Sequence, residues 1–228
     1  MTTALAIYDM DRTVTRGPTY GPFLWHALWR LAPWRALLAP LSALATLAYA
    51  ARLIDRGRLK EWNYRLLVGK VAPERLEPLV ESFADLQIAT NILPGARARI
   101  AEDKAAGRRL VLATASYRLY AAAIARRLGF DDVIATDTRV DEKGRTLAWI
   151  DGRNCYGVAK LDMIEAWLER EGLARDALHI RFYSDHASDA PVHHWSDEAF
   201  ATNAHARLIR LAESEGWEVL DWRDRRSA

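Results

Sequence analysis

Internal disulfide chemistry is closed to this chain. Cys155 is its only cysteine, and a reducing compartment is the natural setting. An excess of one charge is missing as well. The net charge of +2 is too small to draw in nucleic acid by itself, and no nucleic-acid partner is expected. The first residues, MTTALAIYDMD, have no basic stretch ahead of an apolar one, so the expectation is a cytoplasmic protein without a signal peptide. A membrane-length apolar run is lacking too. Residues 36–51 (ALLAPLSALATLAYAA) carry no charge, but Arg35 and Arg52 bound them and Pro40 interrupts them. They fall short of the ~20 residues that span a bilayer. No internal repeat or low-complexity segment stands out.

The chain has 228 residues, 50% of them hydrophobic and 27% charged, which is ordinary for a globular protein and leaves room for a core with an insertion. Residues 4–8 (ALAIY) form an apolar run that ends on Asp9, the pattern of a buried strand. Residues 109–114, 178–184 and 198–202 look similar, with weaker strand patterns at 132–136 and 217–221. Helical patterns lie between them, at 96–106, 117–128, 158–171 and 205–214. Alternating strands and helices predict an α/β fold with a parallel sheet. Residues 138–151 read as a hairpin turning at Glu142–Lys143–Gly144.

Residues 18–91 hold no strand pattern. Four helices are expected there, near 20–32, 35–55, 58–69 and 74–90. The last carries a stripe of Leu76, Leu79, Val80, Phe83 and Leu86, and the third one of Leu59, Trp62, Leu66 and Leu67. The first two are apolar nearly all round, which predicts burial on two sides or contact with something greasy. The expected organisation is a core of 1–16 and 92–228 with a helical domain, 17–91, inserted after the first strand.

Asp9-Met10-Asp11-Arg12-Thr13 directly follows that strand. Chemistry in an open parallel sheet sits at the carboxyl ends of the strands. Two carboxylates two residues apart can divide the work, one attacking an electrophile and the other moving protons. Two such charges also call for a cation, and oxygen ligands suit Mg²⁺. The plain alternative is a solvated acidic turn. Further along, Thr114 ends a strand, and a helix starting after Ala115-Ser116 offers an anion site; Ser116 itself reads as an N-cap. Lys160, taken alone, reads as a surface lysine. Asp185 and Asp189 follow the strand at 178–184, and Asp189 is also suited to cap a helix.

In this order the four elements resemble the haloacid dehalogenase (HAD) superfamily, which is mostly phosphatases. Asp9 to Thr15 is similar to its first motif, Thr114 to the second, Lys160 to the third, and Asp185 with Asp189 to the fourth. The insertion resembles a helical C1 cap. Asp151-Gly152-Arg153-Asn154-Cys155-Tyr156-Gly157 is similar to the phosphoserine-phosphatase-like branch, subfamily IB. The resemblance implies a Rossmann-like core and a Mg²⁺-dependent phosphomonoester hydrolase acting on a small-molecule phosphate ester. It also implies roles. Asp9 would be the nucleophile that forms an aspartyl-phosphate, and Asp11 the general acid and base. Thr114 and Lys160 would bind the phosphate. Asp9, the Asp11 backbone and Asp185 would hold the metal, with Asp189 in support.

The chain departs from that pattern at two places. Arg16 to Tyr20 contains no acid, where phosphoserine phosphatases typically carry a glutamate for the substrate amine. Arg12 replaces a small residue and either touches substrate or points to solvent. In the helical insertion, Trp25, Trp29, Trp34 and Trp62 read as bundle core. The sharper alternative makes Trp25 and Trp29 substrate contacts or part of a membrane-docking surface for an amphipathic, phospholipid-type phosphate ester, with Arg30, Arg35, Arg52, Arg56, Arg58 and Lys60 flanking. An alternative of another class is a non-catalytic membrane- or partner-binding module, against which the intact acids, Thr114 and Lys160 count. Cys155 reads as a small buried residue, His193-His194 as a surface pair, and Arg223, Arg225 and Arg226 as a solvated tail.

Overall fold

The structure, a computed structural model, describes residues 3–223. Arg225 and Arg226 lie outside the described residues. Seven strands form one sheet in the order β4-β3-β2-β1-β5-β6-β7. In chain order they are β1 (Thr3–Tyr8), β2 (Arg109–Tyr117), β3 (Asp132–Val140), β4 (Thr146–Asp151), β5 (Leu178–Ser184), β6 (Glu198–Thr202) and β7 (Glu218–Leu220). All neighbours run parallel except β3 and β4, which form the expected hairpin. Gly144, at φ 71°, closes its turn by donating to the Asp141 carbonyl at 2.8 Å.

The apolar run of β1 is two-sided because helices cover both faces. Ala6 and Tyr8 pack on one face with α5 (Pro94–Ala105) and α6 (Arg118–Leu128). Leu5 and Ile7 pack on the other with α7 (Val158–Arg170) and the short α8 (Ala190–Trp195). α9 (Ala206–Glu215) lies against Ala201 through Leu208 and Ala212. Asp103 on α5 is buried and accepts from Tyr8 at 2.5 Å, Tyr183 at 3.0 Å and Arg181 at 2.8 Å, so this buried charge is paired.

Between β1 and α5 stand four helices: α1 (Tyr20–Leu31), α2 (Ala39–Ala50), α3 (Arg56–Leu67) and α4 (Pro73–Thr90). The chain leaves and returns side by side. Thr15 and Ile92 form an antiparallel bridge, and Arg16 donates to the Asn91 carbonyl at 2.7 Å. Phe23 on α1, Phe83 on α4 and Tyr120 on α6 meet ring to ring at 4.5–5.4 Å, fixing these helices to the core. Each such buried phenylalanine contributes about 1.5–3 kcal/mol.

Three expectations for these helices are corrected. The helix expected over 35–55 is broken into a tight turn, Pro33–Leu38, and α2, because prolines lack the N–H that a continuous helix needs and favour its first turn. The expected inner stripe of α3 is displaced. Lys60, Asn63, Tyr64 and Leu67 face inward and Trp62 is exposed, because Lys60 and Asn63 reach polar partners while Tyr64 and Leu67 join the apolar core. The tryptophans are not bundle core. Trp25 is 55% exposed and Trp29 49%, since Phe23, Leu24, Ala27 and Leu28 already fill the inner face of α1, and Trp34, in the turn that follows, is 62% exposed.

Candidate active site

β1, β2 and β5 are adjacent, and their carboxyl ends open on one cleft of about 240 Å³. Asp9, Asp11, Arg12, Thr114, Lys160, Asp185 and Asp189 all border it. Trp25 and Trp29 do not; they pack on each other, ring centroids 5.5 Å apart, on the exposed side of α1.

Asp9 continues the ladder, its N–H donating to the Tyr183 carbonyl at 2.9 Å. Met10–Val14 then coil tightly instead of extending the strand. Arg12 takes a left-handed φ of 65°, a conformation that costs a non-glycine residue on the order of 1–3 kcal/mol. Asn203, just past β6, offsets this by donating to the Arg12 and Thr13 carbonyls at 2.9 and 3.2 Å. The Thr15 hydroxyl accepts from the Arg12 N–H at 3.2 Å. The coil therefore returns the Asp11 carboxyl to the cleft and sets the Thr13 hydroxyl between two strands. That hydroxyl donates to Asp9 at 3.4 Å and accepts from the Asp185 N–H at 3.0 Å.

The two leading acids sit in different surroundings. Asp9 Oδ1 accepts from Lys160 Nζ at 2.8 Å, and the same ammonium donates to Asp189 Oδ2 at 2.6 Å. Lys160 is thus a buried bridge, not a surface lysine. Its burial works to lower its pKa, but Asp189 and Asp9 outweigh that and hold it above its ordinary value. Asp189 also accepts from the Ser184 hydroxyl at 2.7 Å and makes no side-chain cap bond to α8, so it braces Lys160 instead of capping. Asp11 has no ammonium bonded to it. The Thr19 hydroxyl and N–H donate to its Oδ1 at 2.7 and 2.9 Å, and the Ser116 hydroxyl to its Oδ2 at 3.0 Å. Burial raises its pKa, while those donors and the charge of Lys60 work the other way. Ser116 is no N-cap; Tyr117 holds that position of α6. Thr114 accepts from the Ser116 N–H at 3.1 Å, which turns its hydroxyl toward the cleft loop.

Asp185 is buried beside Asp9. Burial first, then the charge of Asp9, raises its pKa to about 8, and burial raises Asp9 to about 7 against the pull of Lys160. Lys160 answers for one negative charge among Asp9, Asp185 and Asp189, and Asp189 Oδ1 is buried without a hydrogen-bond partner. An electron-rich oxygen set of this kind fits a hard cation. Among the described residues no group of three or more His, Cys, Asp or Glu forms a ready metal cluster. Asp9 and Asp185 border the cleft together and are carboxylates able to hold such a cation.

Several site residues carry no readable signal in the sequence. Lys60, on α3, is buried and donates to the Ala115 carbonyl at 2.6 Å and to Asn154 at 2.9 Å. Arg56 lies over the Tyr156 ring at 4.1 Å, and both border the cleft, as do His186 and Ser188. His193, expected at the surface, is buried between the Asp189 and Phe200 carbonyls and stacks on Trp217 at 4.6 Å. Cys155 is buried, as expected.

Strand order, coil and acids together define a Rossmann-like hydrolase. Residues 6–194 match the model of the haloacid dehalogenase-like hydrolases, and the chain belongs to that family. Phosphoserine phosphatase SerB1 of Mycobacterium tuberculosis is 30% identical over 233 residues, covering 99% of this chain and 73% of that protein. The crystal structure of a protein of unknown function from Bordetella pertussis Tohama I matches with a TM-score of 0.86 at 25% identity, over 97% of this chain and 100% of that one. A substrate-bound phosphoserine phosphatase matches in fold, with a TM-score of 0.62 at 16% identity, over 99% of this chain and 95% of that one. The chain is an enzyme of the phosphatase type within this family. No helix among the described residues is long and apolar enough to cross a membrane.

Proposed function

We propose that the chain hydrolyses small phosphate monoesters through an aspartyl-phosphate on Asp9, with Mg²⁺ as cofactor. The observation that carries this reading is the unequal treatment of two neighbouring carboxyls. Asp9 is bonded by the Lys160 ammonium, which pulls it toward the charged nucleophile against the effect of burial. Asp11 has no ammonium bonded to it, and its burial favours a protonated acid against the pull of its Thr19 and Ser116 donors.

The phosphate enters against the Thr114 hydroxyl and the Lys160 ammonium. A carboxylate oxygen of Asp9 attacks phosphorus as the ester oxygen departs, and Asp11 gives that oxygen its proton. Asp11, now a carboxylate, takes a proton from water. The water oxygen bonds to phosphorus, the Asp9–phosphorus bond breaks, and inorganic phosphate leaves. Lys160, braced by Asp189, neutralises charge on the phosphoryl oxygens. Mg²⁺ held by Asp9, Asp185 and the Asp11 carbonyl would supply further positive charge at the same oxygens.

The helices of 17–91 serve in this reading as a substrate-selecting cap. Besides Lys160, Arg12 and Arg56 are cations on the cleft wall, and every carboxylate there already has a role in the chemistry. That favours a substrate with a second anionic group over one with a free amine. The direct test is hydrolysis of an aryl phosphate with and without Mg²⁺. Asp9→Asn is expected to abolish turnover, and full activity in that variant would remove the nucleophile assignment.

A further inference from the structure

Two grooves meet on the outer side of the helical insertion, and neither shares a lining residue with the catalytic cleft. The first, of about 460 Å³, runs between α3 and the hairpin strand β4. Arg35, Arg65 and Lys70 line it with Trp149, and no acidic residue does. The second, of about 430 Å³, lies between α2 and α3 and is lined by Leu41, Leu44, Ala45, Ala48 and Trp62. Arg65 and Leu66 belong to both, so a cationic slot opens directly into an apolar one.

The surroundings carry the same two properties. No aspartate or glutamate occurs between Asp11 and Asp55, although arginines do. α2 carries no charge and buries only Ala45 fully. Leu44 is 62% exposed and Leu47 64%, and Leu37 in the preceding turn is 82% exposed. The cationic slot is built rather than incidental. Arg35 is held by donating to the Arg65 and Leu66 carbonyls at 2.9 and 3.0 Å and lies over the Trp34 ring at 5.0 Å.

Contiguous exposed apolar surface of this kind marks an interaction site. Its charge decides among occupants. A two-fold contact with a second copy would set this patch against itself and bring like charges together. An anionic lipid surface offers what both grooves lack: phosphate groups for the cations and hydrocarbon for the leucines. We propose that the outer face of α2 and α3 docks on an anionic membrane surface. Headgroup phosphates enter the slot of Arg35, Arg65 and Lys70, while Leu41, Leu44 and Trp62 reach the acyl boundary.

Vesicle sedimentation tests this on the full chain, apart from hydrolysis. The protein is expected to sediment with vesicles of phosphatidylcholine mixed with phosphatidylglycerol, and not with phosphatidylcholine alone. Added salt should release it, because screening weakens surface attraction. Arg65→Glu with Lys70→Glu should weaken vesicle binding at least about 10-fold, two reversed charges each acting on the anionic surface. Leu44→Asp with Trp62→Ser should lose it as well. Both double variants should hydrolyse a soluble aryl phosphate at the unaltered rate, which reports that they are folded. Failure to sediment with mixed vesicles, or undiminished binding by the charge-reversed variant, overturns the proposal. So does a dimer in sedimentation velocity that Leu44→Asp dissociates, which would make this face a contact between copies.

Discussion

Lys60 reaches from α3 to Asn154, 2.9 Å away, on the loop that leads to Lys160. Its second bond, to the Ala115 carbonyl at 2.6 Å, holds the end of β2 next to Thr114. One buried ammonium thus joins the helical insertion to both phosphate-side loops. Its burial has a measurable sign. Burial lowers the Lys60 pKa to about 7, with Asp11 opposing, from the ordinary 10.5. Between those values the unfolded chain binds the proton and the folded chain does not, so this group makes stability rise with pH across that window. Lys60→Met should flatten the rise, read from urea midpoints at neutral pH and near the top of the window. An unchanged slope would show that Lys60 titrates normally.

Asp11 is expected to move protons, so Asp11→Asn should slow turnover by at least about 100-fold, the scale of general acid–base help. Ser116→Ala should act more gently, by about 5- to 10-fold, because it removes one hydrogen bond worth about 1–1.4 kcal/mol. It should also push the alkaline limb of the kcat/KM profile to higher pH, since the Ser116 hydroxyl helps to hold the Asp11 pKa down. A limb that stays in place would separate Ser116 from Asp11.

Cation binding should be visible without substrate. Asp9 and Asp185, raised to about 7 and about 8, hold protons in the folded state at pH values where the unfolded carboxyls, near 3.8, have released them. These two groups therefore lower stability as pH rises from about 4 toward about 8. A cation that ligates the ionised carboxylates reverses that loss. Adding MgCl₂ should raise the melting temperature more at the upper end of this range than at the lower end. Asp185→Asn should remove most of that difference. An equal shift at both pH values would place the cation elsewhere.

The cleft wall should discriminate against amines. 3-Phosphooxypropionate, which lacks only the amine of L-phosphoserine, is expected to show the higher kcat/KM. Arg56→Ala should raise the KM of that acid more than the KM of an aryl phosphate without a carboxylate. Preference for L-phosphoserine would mean that another group meets the ammonium.

Much of the site could be read from the chain because its acids interrupt apolar strands. Asp9 and Asp185 each end a buried run, and a charge there has few structural reasons to exist. The same logic failed for Ser116, Thr19 and Lys60. Their roles depend on how a helix is rotated and where a coil returns, and α3 offers an apolar stripe one step away from the face it buries. Lys160 was distinguishable only by its place in the order, since nothing local separates a bridging ammonium from a solvated one. The tryptophans misled for the opposite reason. Helical spacing says that side chains share a face, but not that anything covers it.

The ladder around β1 makes the site intolerant of a kind of change that substitutions do not test. Tyr8 pairs with Leu112 on one side and Tyr183 on the other, and Asp9, Thr114 and Asp185 follow within two residues of those partners. Side chains alternate along a strand, so inserting one residue into 3–8 would turn Leu5 and Ile7 to the opposite face and carry Asp9 past Lys160. Point changes in β1 can be gradual in effect. Length changes cannot, and natural variation in chain length should therefore fall outside this strand, in the loops between the helices of the insertion.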